Sequence, residues 1–319
     1  MVRFKNFFRH YKQSLFLVVT QNKQSLFLVV TQNWLIIILA FIATIVGIVV
    51  FLLPKPTPIS EKPKLPALSS PQFTKANITS GNIFYQLDLK ETPVEVPNIL
   101  PVYQARLKEP FNWSKIISQN LEGPLIVKGA TEAAGLAKGF LSQQKRWTPE
   151  LEAGDFEVKF LKIGGFEVFP TESFQEATLL AIHFWPKINN YLVVGSNPNL
   201  GGVEVWVAKN GKIQKVRENL ANLDASNPVD YPIISFTQAW EKITQQKGTI
   251  VALSKQEEEY GVTRFQLSSV IINKAYLAYF QEQNLPAKLQ PIWVFQGKTI
   301  LTSGEESEVS ICLPAILEL

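Results

Sequence analysis

Residues 201–216 read GGVEVWVAKNGKIQKV, two strand-like runs about an Asn210-Gly211 pair. Asn and Gly tolerate the positive φ that a two-residue turn requires, so this pair between apolar runs is the strongest short-range hairpin signal a sequence carries. Just upstream, residues 178–185, TLLAIHFW, read as a strand with Leu180, Ile182 and Phe184 on one face. Before it, DFEVKFLKI (155–163), Gly164-Gly165 and FEVFP (166–170) form a second hairpin signal. Helical material is expected at 113–121 and 131–144, ahead of these strands.

Downstream, residues 235–248, SFTQAWEKITQQKG, carry a helix. Ser235 stands at the N-cap position, Phe236, Ala239, Trp240 and Ile243 recur at helical spacing, and Gly248 stops the pattern. Three strands follow: SSVIINKAYLAYF (268–280), LQPIWVFQGKTIL (289–301) and EVSICLPAI (308–316). The grammar of helices followed by meanders predicts an α+β fold of two lobes, 73–228 and 229–319, each of antiparallel sheet with packed helices.

Residues 34–53, WLIIILAFIATIVGIVVFLL, hold no charge and span roughly 30 Å as a helix, enough to cross a bilayer once. Arg3, Lys5, Arg9, Lys12 and Lys23 precede the stretch, and the first carboxylate of the chain is Glu61. Positive flanks stay in the cytoplasm, so the expectation is a single-pass plasma-membrane protein held by an uncleaved signal anchor, N-terminus cytoplasmic and C-terminal domain extracytoplasmic. Its basic tail, 1–33, contains KQSLFLVVTQN twice without a change, at 12–22 and 23–33. Six prolines between Pro54 and Pro71 make 54–72 an extended linker. With the five tail residues set aside, 26 of the 31 basic residues face 27 acidic ones, so the outer part is nearly neutral and nucleic acid is not an expected partner. The partners this reading names are the bilayer, through 34–53, and a membrane protein touching the helix or the outer domain.

Catalytic chemistry finds little footing. Of two histidines, His10 lies in the tail and His183 sits mid-strand. The single cysteine, Cys312, lies in an apolar run and reads as a small core residue. Gln296-Gly297-Lys298-Thr299 has the Gly-Lys-Thr of a phosphate loop without its upstream glycine, and reads as a hairpin turn. Glu257, Glu258 and Glu259 are adjacent, and adjacent side chains diverge. No catalytic residue, cofactor or metal site is expected, and the protein is read as a non-enzyme. The loop 195–202, GSNPNLGG, is the segment to watch, because Asn and Gly expose backbone amides there. Asn197 and Asn199, with the nearby rings of Trp185, Tyr191 and Trp206, form the expected ligand or partner surface, with the rings as a stacking platform for sugar or peptide.

The run HFWPKINNYLVVGSNPNLGGVEVWVAKNGKIQKV (183–216), the helix PIISFTQAWEKI and the pair INKAYLAYF and LQPIWVFQG resemble the two-lobed extracytoplasmic proteins related to PepSY domains and to the YycI/YycH type. The resemblance covers 156–319 and is one of pattern. It implies a membrane-anchored, non-enzymatic regulatory module that modulates a membrane sensor or envelope complex. The alternative is a cell-envelope glycan- or peptide-binding protein, and an envelope hydrolase stands third.

Overall fold

The computed structural model describes residues 65–79, 81–91, 96–105, 111–117, 121–220, 225–254, 265–282 and 288–317. All its elements lie in the compact unit Ala67–Leu319. Two long neighbouring strands, β13 (Phe265–Gln281) and β14 (Lys288–Leu301), form the spine of a ten-stranded sheet. On the β14 side lie β15 (Glu306–Pro314) and, at Lys288–Leu289, β3 (Ile99–Ala105). Strand β12 (Thr249–Leu253) extends beyond β15, and β11 (Ala225–Pro232) beyond β3. On the β13 side lie β1 (Ile78–Thr79), β2 (Phe84–Leu87) and β8 (Tyr191–Val194), all parallel to it, with β7 (Lys187–Ile188) outside β8. Strand β2 covers Ser269–Ile272 and β8 covers Ala278–Phe280; between them, no strand among the described residues pairs with this edge of β13.

A second sheet, in the order β10-β9-β6-β4-β5, is built from β4 (Asp155–Gly164), β5 (Glu167–Thr171), β6 (Leu179–Trp185), β9 (Val203–Ala208) and β10 (Ile213–Glu218). Leu180, Ile182 and Phe184 of β6 alternate with Val203, Val205 and Val207 of β9 to give an apolar face, over which α1 (Ala130–Gln143) lays Ala133, Ala134, Ala137 and Leu141. The short α2 (Pro149–Glu152) follows, opened by Thr148, whose hydroxyl accepts the Leu151 N–H. The core of the large sheet lies under α3 (Phe236–Thr244), where Ala239 and Ile243 join Trp293, Phe295 and Ile272. Ser235 and Gln238 close a capping box at the start of α3. Each satisfies an amide the helix leaves unpaired, so Ser235→Ala is expected to lower stability by about 1 kcal/mol, read as a fall in the urea midpoint at unchanged slope.

The α+β expectation is corrected: among the described residues, fifteen strands accompany three α-helices, and the large sheet is mixed. Of the helix expected at 113–121, the described residues form one 3-10 turn, Trp113–Lys115, and the Trp113 indole is buried against Phe111 and Phe140. Strands β3 and β11 contain Pro101 and Pro228, which read as breakers in a sequence but are tolerated where one side of a strand lacks a partner. The sheets also do not follow the boundaries 73–228 and 229–319, since β1–β3, β7 and β8 all join the sheet of the C-terminal strands.

No helix among the described residues is long and apolar enough to cross a membrane. The expected span 34–53, the repeated tail 1–33 and the linker up to residue 64 lie outside the described residues. The single-pass, signal-anchored plasma-membrane placement therefore has no helix to support it and is withdrawn.

Candidate functional site

The chain leaves the small sheet at Trp185, pairs β7 and β8 into the large one through a turn at Asn189 and Asn190, and returns through the loop 195–202. Both asparagines are left-handed, with φ of 50° and 68°, a conformation their short polar side chains tolerate. The loop is pinned to both sheets. Asn199 Oδ1 accepts from Gln296 Nε2 at 2.8 Å and from Ser310 Oγ at 2.7 Å, fixing it to β14 and β15. Asn197 Oδ1 accepts the Asn199 N–H at 3.0 Å, and Trp185 Nε1 donates to the Pro198 carbonyl at 3.3 Å. At Gly201 a Cβ would come within 2.8 Å of the Phe184 nitrogen, so only glycine lets the loop return this close to β6.

Beside this loop the two sheets enclose a cleft of about 410 Å³. Asp155, Glu157, Lys159 and Trp185 line it from the small sheet; Asn273, Lys274, Tyr276, Gln296, Lys298 and Glu308 line it from the large one. The lining thus holds three lysines and three carboxylates, with three amides and the rings of Phe156, Trp185 and Tyr276. Asp155 is held by Lys187 at 2.6 Å, Lys298 reaches Glu306 at 3.2 Å, and the Lys274 ammonium lies 5.1 Å from the Tyr276 ring centre. Burial pushes the Tyr276 phenol well above its ordinary range, so it meets a ligand as a neutral hydroxyl.

Of the residues expected from sequence, the cleft brings together Trp185 and Asn199, and Asn197 braces it from within the loop. Tyr191 stands elsewhere, edge-on to Tyr279 at 6.2 Å. Trp206 shares a face of the small sheet with Trp185 but lies outside the cleft lining, its indole N–H on Glu204 and the Lys215 ammonium 3.9 Å above its ring. The three rings therefore form no common platform. The opposing wall, Asn273, Lys274, Tyr276, Lys298 and Glu308, was not anticipated. Its one sequence signal is the polar pair Asn273-Lys274 interrupting the run from Val270 to Phe280, which is otherwise aliphatic and aromatic. Gln296–Thr299 is corrected from a turn to the middle of β14, where Gly297 lies opposite Ile272. A Cβ at Gly297 would stand 2.0 Å from the Ile271 oxygen, beside the register shift of β13 at Ile272/Lys274; glycine is what lets that bulge close up.

On the face of the small sheet that also lines the cleft, opposite the face under α1, Glu157, His183, Glu204 and Arg217 lie in one row across four strands. His183 and Glu204 are buried by their neighbours, and the His183 Nδ1 finds no hydrogen-bond partner among the described residues. Desolvation holds the imidazole below its ordinary value of 6.5; Glu204 and Glu157 oppose the shift, and Lys159 and Lys215 add to it. Below 6.5 the unfolded chain then binds the proton that the folded chain refuses, so stability falls as pH drops through that value. Urea midpoints measured from pH 7.5 to 5.5 should decline in the native chain and decline less in His183→Leu. Equal slopes would remove His183 from the acid sensitivity. Cys312 is buried among Val294, Ile292 and Ala252, and burial raises its thiol far above the reactive range.

No family model matches the chain, and no curated protein matches it. A solved structure of an uncharacterised protein from Eubacterium rectale ATCC 33656 is similar at a TM-score of 0.36 and 12% identity, over 64% of this chain and 57% of that one. The chain thus spans little more than half of that protein's length, and a likeness this slight carries no functional argument.

Proposed function

We propose that the protein is a non-enzymatic interaction module whose inter-sheet cleft receives a segment of a partner protein. The observation that carries the reading is the lining of the cleft: three lysines, three carboxylates, three amides and three rings, drawn from both sheets. A surface of balanced charge rich in amides matches the mixed polarity of a protein segment, and charges of both signs select partners more than they add affinity. Trp185 and Tyr276 supply the aromatic anchors that such contacts concentrate on. The reading keeps the regulatory contact implied by the PepSY-like resemblance, without the membrane placement. The glycan alternative loses the shared platform of rings on which it rested.

Photo-crosslinking in the source cells tests it. With p-benzoylphenylalanine in place of Lys298, the full chain should give a discrete protein adduct, reduced severalfold by Lys274→Glu. The same group in place of Lys138, on the exposed side of α1, should give none. Equal adducts from both positions, or none from 298, would reject the reading.

A further inference from the structure

Where the large sheet meets the cleft, its side chains are ordered by register. Lys274 of β13 lies opposite Gln296 of β14, and Gln296 opposite Ser310 of β15; two residues further along β14, Lys298 lies opposite Glu308. Asn199 stands on the first of these rows, its Oδ1 accepting from Gln296 Nε2 at 2.8 Å and from Ser310 Oγ at 2.7 Å. Half of each amide is left over. The Asn199 Nδ2 and the Gln296 Oε1 have no hydrogen-bond partner among the described residues, neither atom is sealed from solvent, and both residues line the cleft.

Each amide has a donor end and an acceptor end, and the bond between the two uses one of each. The pair therefore offers the cleft one donor and one acceptor, held in place by β14 and β15. Turning both amides over exchanges the two roles and leaves the same complement.

This complement discriminates among ligand groups. A carboxylate would set lone pairs against the Gln296 oxygen, and an ammonium would set hydrogens against the Asn199 nitrogen. An apolar group would take water from both atoms and return nothing. Nor does the surrounding field choose a charge, since three lysines and three carboxylates line the space. A hydroxyl has both functions on one atom, and a neutral imidazole has them on opposite sides of its ring. A primary carboxamide carries them on two atoms of one carbon, side by side and without charge.

We propose that this pair reads a carboxamide: the segment received by the cleft places an Asn or Gln side chain here, its oxygen accepting from Asn199 Nδ2 and its amino group donating to Gln296 Oε1. The proposal rests on the interaction reading above and names the residue that the segment must carry. Specificity arises because any other side chain leaves a desolvated donor or acceptor unmet.

The test presents a phage-displayed library of random heptapeptides to the immobilised full chain. Enriched peptides should carry Asn or Gln at one fixed position. The strongest of them, labelled with fluorescein and followed by anisotropy, should bind about tenfold more weakly when that residue becomes Glu, Lys or Leu. Asn199→Asp keeps an oxygen for Gln296 and Ser310 but turns the remaining donor into an acceptor. Its library should enrich Lys or Arg at that position and not at the others. The peptide series needs no variant, so it decides even if Asn199→Asp failed to fold. Enriched peptides without a fixed Asn or Gln, equal binding of the Glu peptide, or an unchanged preference in folded Asn199→Asp would overturn the carboxamide and leave the interaction module in place. An empty library with the crosslink at 298 retained would do the same, whereas loss of the crosslink as well would reject the module.

Discussion

Trp293→Ala is expected to be the most damaging single replacement in the molecule, lowering stability by about 3–5 kcal/mol. The indole is fully buried at the centre of the large sheet's core and is the largest side chain so enclosed. Phe236 of α3 meets it edge-on at 5.7 Å, Phe295 lies 6.3 Å away, and its N–H donates to the Ile234 carbonyl at 3.1 Å. Truncation removes the transfer energy of the ring, leaves a cavity under α3 and strands the Ile234 oxygen. Trp293→Phe keeps most of the volume and loses the hydrogen bond, so it should fall between alanine and the native chain. Urea melts followed by far-ultraviolet circular dichroism give the order native, phenylalanine, alanine. An alanine chain as stable as the native one would mean that the enclosure of Trp293 is not what holds α3 to the sheet.

The second large effect concerns the small sheet. Arg146 follows α1, its N–H bonded to the Leu141 carbonyl at 2.8 Å, and its guanidinium makes a two-pronged pair with Glu218 of β10 at 2.8 and 2.7 Å. Both side chains are more than four-fifths enclosed, and the guanidinium also lies 5.6 Å from the Phe111 ring centre. Removing one partner leaves the other charged in a poorly hydrated place, so Arg146→Ala is expected to cost about 3 kcal/mol. Arg146→Lys cannot reproduce the fork and should recover little. The double replacement Arg146→Met with Glu218→Leu should regain most of the loss, since removing both charges ends the desolvation penalty. A double variant no better than Arg146→Ala would contradict this account and place the effect in lost packing of the arginine stem.

How far the sequence foretells this depends on range. The turn at Asn210-Gly211, the hairpin at Gly164-Gly165 and the capped helix from Ser235 are set by neighbouring residues, and each is found where the local pattern places it. Strands β1, β2 and β8 are two to four residues long and exist because β13 offers them an edge, so no local periodicity marks them. The misreading of Gln296–Thr299 has the same origin. Gly297 looks like a turn residue alone, and only the bulge of β13, more than twenty residues earlier, shows that it serves a close approach of two backbones. The cleft divides the same way. Trp185 and Asn199 belong to a conspicuous loop, whereas Lys274, Lys298 and Glu308 become its opposite wall through pairing among β13, β14 and β15.

The way the two sheets share the chain also orders their birth. Every strand of the small sheet has been synthesised once Glu218 has been added, and α1, which covers it, precedes them all. By contrast β1, β2 and β3, translated earlier, wait for β13 and β14 before their edges are satisfied. Closure of such distant pairings is slow, and the early strands stay bare meanwhile. A nascent chain paused while β13 is being made thus holds one finished half and one set of open strand edges, which is where a chaperone would find its substrate.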